Sequence, residues 1–278
     1  MSFLERVVAE RRADAAAARE HRSPREAQPR AVPDPGTVGD DVFTQALRRR
    51  RQAGRLAVIA EVKRISPADG PLAAGVDPAA QARRYVADAE GGATAISVLT
   101  EPRHWGGSLA DLKAVRAAVS VPVLCKDVIV DEHQIAEARA AGADAVLLIA
   151  EALTDAELRR FVALARELGM GALVEAHEPA AFGRAVASGA AVVGANARDL
   201  REPGVIDRGR ARLLAPLVGA EQIFVAESGI ASAEDARLLP ARVDAVLVGT
   251  ALMRAADPAP LIRALASIDR VVPAVGAR

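Results

Sequence analysis

This chain is poor in sulfur and aromatic residues and carries no surplus charge. It has one cysteine, Cys125, among 278 residues. That excludes an intramolecular disulfide framework and any multi-cysteine metal cluster, and fits a reducing, intracellular setting. Lysine plus arginine and aspartate plus glutamate both count 36, so the net charge is zero. Neither nucleic acid nor a membrane surface is therefore an expected partner. An acidic small substrate stays open, because the local placement of cations matters more than their sum. No apolar run approaches the ~20 residues of a membrane helix. Charges at Glu5, Arg6, Arg11 and Arg12 leave no apolar signal core at the N-terminus. The expectation is a soluble, cytoplasmic protein.

What the chain does have is repetition. Eight short aliphatic runs begin near residue 57: AVIAEVK, ATAISVL, VPVLCKD, DAVLLIA, GALVEAH, AVVGANAR, QIFVAES and DAVLVGT. Each has strand length and is too apolar to face water on either side. Helical patterns lie between them, with Asp131, Thr154 and Ser232 as expected N-caps and Gly142, Gly169 and Gly189 as expected helix ends. Eight βα units predict an α/β fold, a (β/α)8 TIM barrel over residues 55–278. An open doubly wound sheet competes, but the turn after the first strand, KRISPADG, lacks the Gly-rich phosphate signature.

Residues 1–54 read as an N-terminal helical extension. Leu4, Val7 and Val8 sit at helical spacing and the alanines after them favour helix. A four-proline run over 23–36 breaks that helix, and a second is expected from Val42 to Gln52. The extension is either a loosely attached arm or a helix docked over something.

Polar residues concentrate where the strands end. In the first run, VIAEVKRISP, Glu61 and Lys63 are two residues apart and so share a face. Lys126 and Asp127 end the third strand. Glu175 ends the fifth, Asn196 and Arg198 the sixth, and Glu227 and Ser228 the seventh. In a barrel these carboxyl ends form the active face. Any one charge could simply pair with a neighbour at the rim, but a buried charge is expensive unless paired, and five strands repeat the feature. Converging lysines and carboxylates suit proton transfer. The turns Ser228-Gly229-Ile230 and Gly249-Thr250-Ala251 expose backbone amides where barrels often bind phosphate. Ser66 and Lys63 could reach the same anion from the first strand.

Other residues carry weaker signals. Alternation sends Cys125 outward, as a packed thiol. His177 follows Glu175 by two residues, but no second histidine stands at ligand spacing, so no metal is expected. His21, His104 and His133 read as surface or loop residues. Trp105, the sole tryptophan, is either buried packing or an aromatic wall for a flat substrate.

The ordered set AEVKRISPADG, ISVLTEPRHWGGS, PVLCKDVIVDEHQIAEARAAGADAVLLI, LVEAHE, VGANARDL, VAESGI and LVGTALM resembles the indole-3-glycerol-phosphate synthase family over roughly residues 55–255. The resemblance implies a carboxy-lyase of tryptophan biosynthesis that uses no cofactor. It converts 1-(o-carboxyphenylamino)-1-deoxyribulose 5-phosphate by ring closure, decarboxylation and dehydration. By similarity, Lys126 is the general acid, and Glu175 and Glu61 stabilise the cation and handle protons. Lys63 contacts an anionic group and donates a later proton, Asn196 hydrogen-bonds the substrate, and Arg198 binds beside it. Ser66, Glu227, Ser228, Gly229, Gly249 and Thr250 match the substrate and phosphate cradle, and Trp105 the aromatic facing the anthranilate ring.

The chain departs from the family pattern at Val128, where phenylalanine is usual, and at Ala68, where a second serine is usual. Gly249-Thr250 replaces a serine-bearing pair, and the segment after Leu200 lacks the customary Thr-Phe. A phosphoribosylanthranilate isomerase-like enzyme and a non-catalytic phospholigand-binding paralogue remain as alternatives. Other tryptophan-pathway enzymes are candidate partners of what reads as a free-standing synthase.

Overall fold

The computed structural model describes residues 1–20, 41–73, 75–88 and 91–270. His21 and the proline-rich run at 23–36 lie outside the described residues. All eight expected strands form, as β1 (Ala57–Val62), β2 (Ala95–Leu99), β3 (Val123–Lys126), β4 (Ala145–Ile149), β5 (Gly171–Ala176), β6 (Val192–Asn196), β7 (Ile223–Glu227) and β8 (Ala245–Val248). Every neighbouring pair is parallel. β1 pairs with β2 through Ile59 and Ala95 and with β8 through Ala57 and Ala245, which closes the barrel.

Alternation along each strand sorts the side chains into two layers. Val58, Ala60, Ile96, Cys125 and Val146 point out and pack under the helices. Ala57, Ile59, Leu124, Leu147, Leu173, Val225 and Leu247 fill the barrel interior. Continuing the same alternation puts Glu61, Lys126, Glu175, Asn196 and Glu227 in the topmost interior layer. The acid and base of the first strand therefore face inward together.

The expected caps are present. Asp131 caps the helix Glu132–Ala140, and Thr154 and Ser232 form capping boxes on the helices Asp155–Glu167 and Ala233–Arg237. Gly142, Gly169 and Gly189 follow their helices with φ between 71° and 95°.

The two N-terminal helices, α1 (Phe3–Glu20) and α2 (Val42–Gln52), pack on opposite ends of the barrel. α2 is capped by Asp41, which accepts from the Thr44 amide at 2.9 Å. It lays Phe43 and Leu47, both fully buried, against the interior cluster. The Asp41 carboxylate lies beside Gly171, the first residue of β5, and the Arg51 guanidinium donates to the carbonyls of Ala220 and Gln222 ahead of β7. α2 thus covers the amino ends of the strands. α1 covers part of the carboxyl end, with Leu4 and Val7 buried and its Phe3 amide donating to the Arg201 carbonyl. No helix of the described residues is long and apolar enough to cross a membrane.

Candidate active site

The carboxyl end of the barrel opens into a cavity of about 370 Å³. It is lined by every residue singled out for catalysis or binding: Glu61, Lys63, Ser66, Trp105, Lys126, Glu175, Asn196, Arg198, Glu227, Ser228, Gly229, Gly249 and Thr250. Residues from seven strand ends and their loops thereby meet in one place.

Lys126 is the centre of the charge pattern. Its ammonium donates to Glu227 Oε2 at 2.9 Å and to Glu175 Oε2 at 3.3 Å. Burial alone would push its pKa down, but Glu175, Glu227 and Glu61 together hold it above the ordinary lysine value. The amine is therefore kept as a proton carrier. Glu227 shows the opposite balance. Burial and the nearby Glu175 raise its pKa well above the ordinary carboxylate range, despite Lys126. Lys63 pairs with Glu61 at 2.9 Å. Burial raises the Glu61 pKa, yet Lys63, Lys126 and Arg198 more than offset this and leave it lowered.

Two glycines make room for these carboxylates. A Cβ on Gly194, the inward position of β6, would sit 2.2 Å from Glu227 Oε1. A Cβ on Gly249 would sit 2.2 Å from Glu61 Oε1. Gly249 thus has a steric role in addition to its place in an amide-exposing turn. Gly194 was not singled out from the sequence, since it reads as an ordinary small residue in a strand.

Asn196 is fixed by its own oxygen, which accepts from Ser228 Oγ at 2.9 Å and from the Arg198 amide at 3.0 Å. Ser228 adopts φ 67°, the left-handed region, beside Gly229 at 74°. Two successive residues there turn the loop sharply toward the cavity. Glu227, grouped by sequence with the substrate and phosphate cradle, lies deeper, against Lys126.

Trp105 packs on the interior cluster and also lines the cavity. Its ring meets Phe3 of α1 edge-on at 5.7 Å. The loop holding it is organised by Glu101, a buried cavity residue missed in the sequence. Glu101 accepts from the amides of Arg103, His104 and Trp105 at 3.1, 2.6 and 3.1 Å. An acid followed by a turn and Gly106-Gly107 was the available signal. Asp69, Arg208 and Arg254 also line the cavity without having been singled out.

Several expectations shift in detail. His104 is a loop residue, but it is half-buried under α1 and bonded to Glu10 at 2.7 Å. His133 stands in the first turn of the helix Glu132–Ala140. His177 is turned away from the cavity. Its Nδ1 contacts the Asn196 carbonyl at 2.8 Å and its Nε2 meets Arg210 at 3.0 Å. His177, Glu178 and Asp199 bring ligand-type atoms within 4.8 Å of one another. Arg210 holds the histidine and Arg201 pairs with both acids, so those atoms already have partners. Cys125 is a packed thiol whose pKa burial, with Asp127, pushes up to about 12.

Asp127 ties the mouth to α1. Its carboxylate accepts from Arg11 at 3.0 Å, Thr100 Oγ1 at 2.8 Å and the Val128 amide at 2.7 Å. Arg103 reaches Asp14 at 2.5 Å from the Trp105 loop.

A family model described as indole-3-glycerol phosphate synthase matches residues 4–265. An indole-3-glycerol phosphate synthase from Nocardioides sp. is 54% identical over 220 residues, covering 79% of this chain and 83% of the relative. Another from Paenarthrobacter aurescens is 53% identical over 204 residues, covering 73% and 74%. Among solved structures, a chain from Aquifex aeolicus VF5 aligns with TM-score 0.60 at 13% identity, covering 83% of this chain and all of that one. At that identity it speaks to the barrel fold alone. The family match spans nearly the whole chain and the relatives are about half identical over the aligned residues, so the chain belongs to the indole-3-glycerol phosphate synthase family.

Proposed function

We propose that this chain converts 1-(o-carboxyphenylamino)-1-deoxyribulose 5-phosphate to indole-3-glycerol phosphate, with Lys126 as the general acid. The observation that carries the assignment is the Lys126 ammonium, fixed between Glu227 and Glu175 inside the cavity.

The reaction begins when the anilino nitrogen pushes electrons into its ring and the carboxylate-bearing carbon attacks the ketone. A C–C bond forms and the carbonyl oxygen takes a proton from Lys126. The positive charge now rests on the nitrogen as an iminium, which the carboxylates Glu61 and Glu175 stabilise. The C–CO2 bond then breaks, its electrons neutralise the iminium, and the six-membered ring is aromatic again. Because the iminium is the electron sink, this step calls for neither pyridoxal nor a metal. The new hydroxyl finally leaves as water with a proton from Lys63, while Glu61 or Glu175 takes the proton from the adjacent carbon.

Binding follows from the same geometry. The turns at Ser228-Gly229 and Gly249-Thr250, with Ser66, receive the phosphate, far from the reacting carbons, and hold the ring against the ketone. Asn196 has committed its oxygen within the protein, which leaves its amide N–H groups for a substrate hydroxyl. Arg198 lies beside it, and Trp105 forms the wall against the aromatic ring. The reading carries with it a cytoplasmic enzyme, with other tryptophan-pathway enzymes as candidate partners.

A fluorescence assay for indoleglycerol phosphate, run with wild type and Lys126→Ala, tests this. Wild type should turn over, and the variant should lose about 10²–10⁴-fold in kcat. Equal rates would move the acid role to Lys63. A folded wild type that binds substrate without forming product would sink the reading and leave a phospholigand-binding paralogue.

A further inference from the structure

The loop after β1 folds back as a short hairpin, Ile65–Ser66 against Gly70–Pro71, and its tip carries Asp69 over the cavity. One carboxylate oxygen, Oδ2, accepts from Ser66 Oγ at 2.8 Å and lies 3.8 Å from Arg198 Nη2. The other, Oδ1, accepts from Arg254 Nη2 at 3.2 Å. A hydroxyl and two guanidinium groups thus converge on one internal carboxylate. The Ser66 hydrogen bond first, then Arg254 and Arg198, keep its pKa below the ordinary aspartate value against the effect of burial.

These donors line the cavity that contains the place assigned above to the substrate's phosphate. Ser66, Arg198 and Arg254 line the same cavity as Ser228, Gly249 and Thr250. Arg254 ends the short helix that Thr250 begins. Asp69 and a phosphate in that cradle therefore share the Ser66 hydroxyl, and the two arginines that Asp69 engages stand in the same cavity.

We propose that Asp69 is a built-in competitor for the ligand's phosphate, partly neutralising Arg254 and Arg198 and so weakening the hold on phosphorylated ligands. The proposal rests on the phosphate subsite of the functional reading. A dianion arriving there either displaces Asp69 from its donors or sits against a like charge a few ångströms away, and both weaken binding. Substrate and product carry the same phosphate, so the weakening applies to both. It limits uniform binding, which does not speed the chemical step, and it favours product departure.

The test is a calorimetric titration of wild type, Asp69→Asn and Asp69→Glu with inorganic phosphate and with glycerol 3-phosphate. Asp69→Asn keeps the shape and the hydrogen-bond acceptor while removing the charge. It should bind both probes about three- to tenfold more tightly, and less so as salt is raised. Asp69→Glu should stay near wild type. In an Arg254→Ala background the gain from Asp69→Asn should shrink, since the two residues are coupled. In turnover, the KM of Asp69→Asn should fall and product inhibition should strengthen by a similar factor. Unchanged or weaker phosphate binding in Asp69→Asn, or none to either protein, overturns the proposal and leaves Asp69 as a residue that merely orients the arginines. The phosphate titration decides this even if the turnover assay fails, so the two readings fall separately.

Discussion

The two ends of the barrel are built on opposite terms. At the floor, Phe43 and Leu47 of α2 are fully buried on the interior cluster, and arginines of the same helix donate to backbone carbonyls around the start of β7. At the mouth, Glu61, Glu175 and Glu227 are each no more than 2% exposed, crowded around two lysines. Glu227 Oε1 is buried there without a hydrogen-bond partner. Apolar closure stabilises at roughly 25 cal/mol per Å², whereas gathered buried charges at best break even. One end secures the fold, and the other holds a charge arrangement that stability alone would not select.

Breaking the floor should produce the largest change in stability. Phe43→Ala is expected to lose about 3–5 kcal/mol in urea unfolding, while kcat per folded molecule changes less than about twofold. A large fall in kcat would mean that the two ends are coupled and the contrast is too sharp.

Glu227→Gln probes the mouth from the other side. The fold holds the Glu227 proton above its ordinary pKa of 4.5, where the unfolded chain has released it. Between that value and the raised folded one, wild-type stability falls as pH rises. Glutamine has no such dependence. The variant should therefore be more stable by about 1–3 kcal/mol at neutral pH. The gap should grow with pH across the window and close below about pH 4, where both states are protonated. Activity should drop at least tenfold, because an amide cannot exchange a proton with Lys126 as the carboxyl group can. A variant less stable than wild type at pH 7 would show that the Lys126 pair outweighs the burial of the acid.

The smallest effect belongs to the seam between α1 and the mouth. Arg11→Ala removes the cation beside the buried Asp127, next to Lys126 in the chain. Burial already raises the Asp127 pKa and Arg11 opposes that rise. Losing Arg11 leaves the buried Asp127 without its cation. Protonation of that carboxyl, already favoured by burial, should limit the cost to about 1–2 kcal/mol in thermal unfolding, with KM raised about two- to fivefold in steady-state assays. No change in KM would make α1 a structural cover only.

This contrast also explains what could be read in advance. The eight strands were legible because parallel strands buried on both faces leave near-continuous aliphatic runs. The top-layer charges were legible because period-two alternation turns Glu61 and Lys63 together. The ends to which α1 and α2 attach were not. A helical pattern marks an apolar face without naming its partner, and only tertiary packing sets that choice. Glu101 escaped because its work is done through backbone amides two to four residues downstream, which carry no side-chain signature. Gly194 and Asp69 escaped for related reasons. A strand glycine shows nothing of the carboxylate it admits, and a loop aspartate shows nothing of arginines 129 and 185 positions away.

The position of Trp105 has a spectroscopic consequence. As the sole tryptophan, seated between the cavity and Phe3 of α1, it makes the protein's indole emission a local reporter. A ring stacking in the cavity should quench it. Release of α1 from the mouth should shift it to the red while far-ultraviolet dichroism still records an intact barrel. Loosening at the floor, around Phe43, should leave that emission unchanged until the whole domain unfolds.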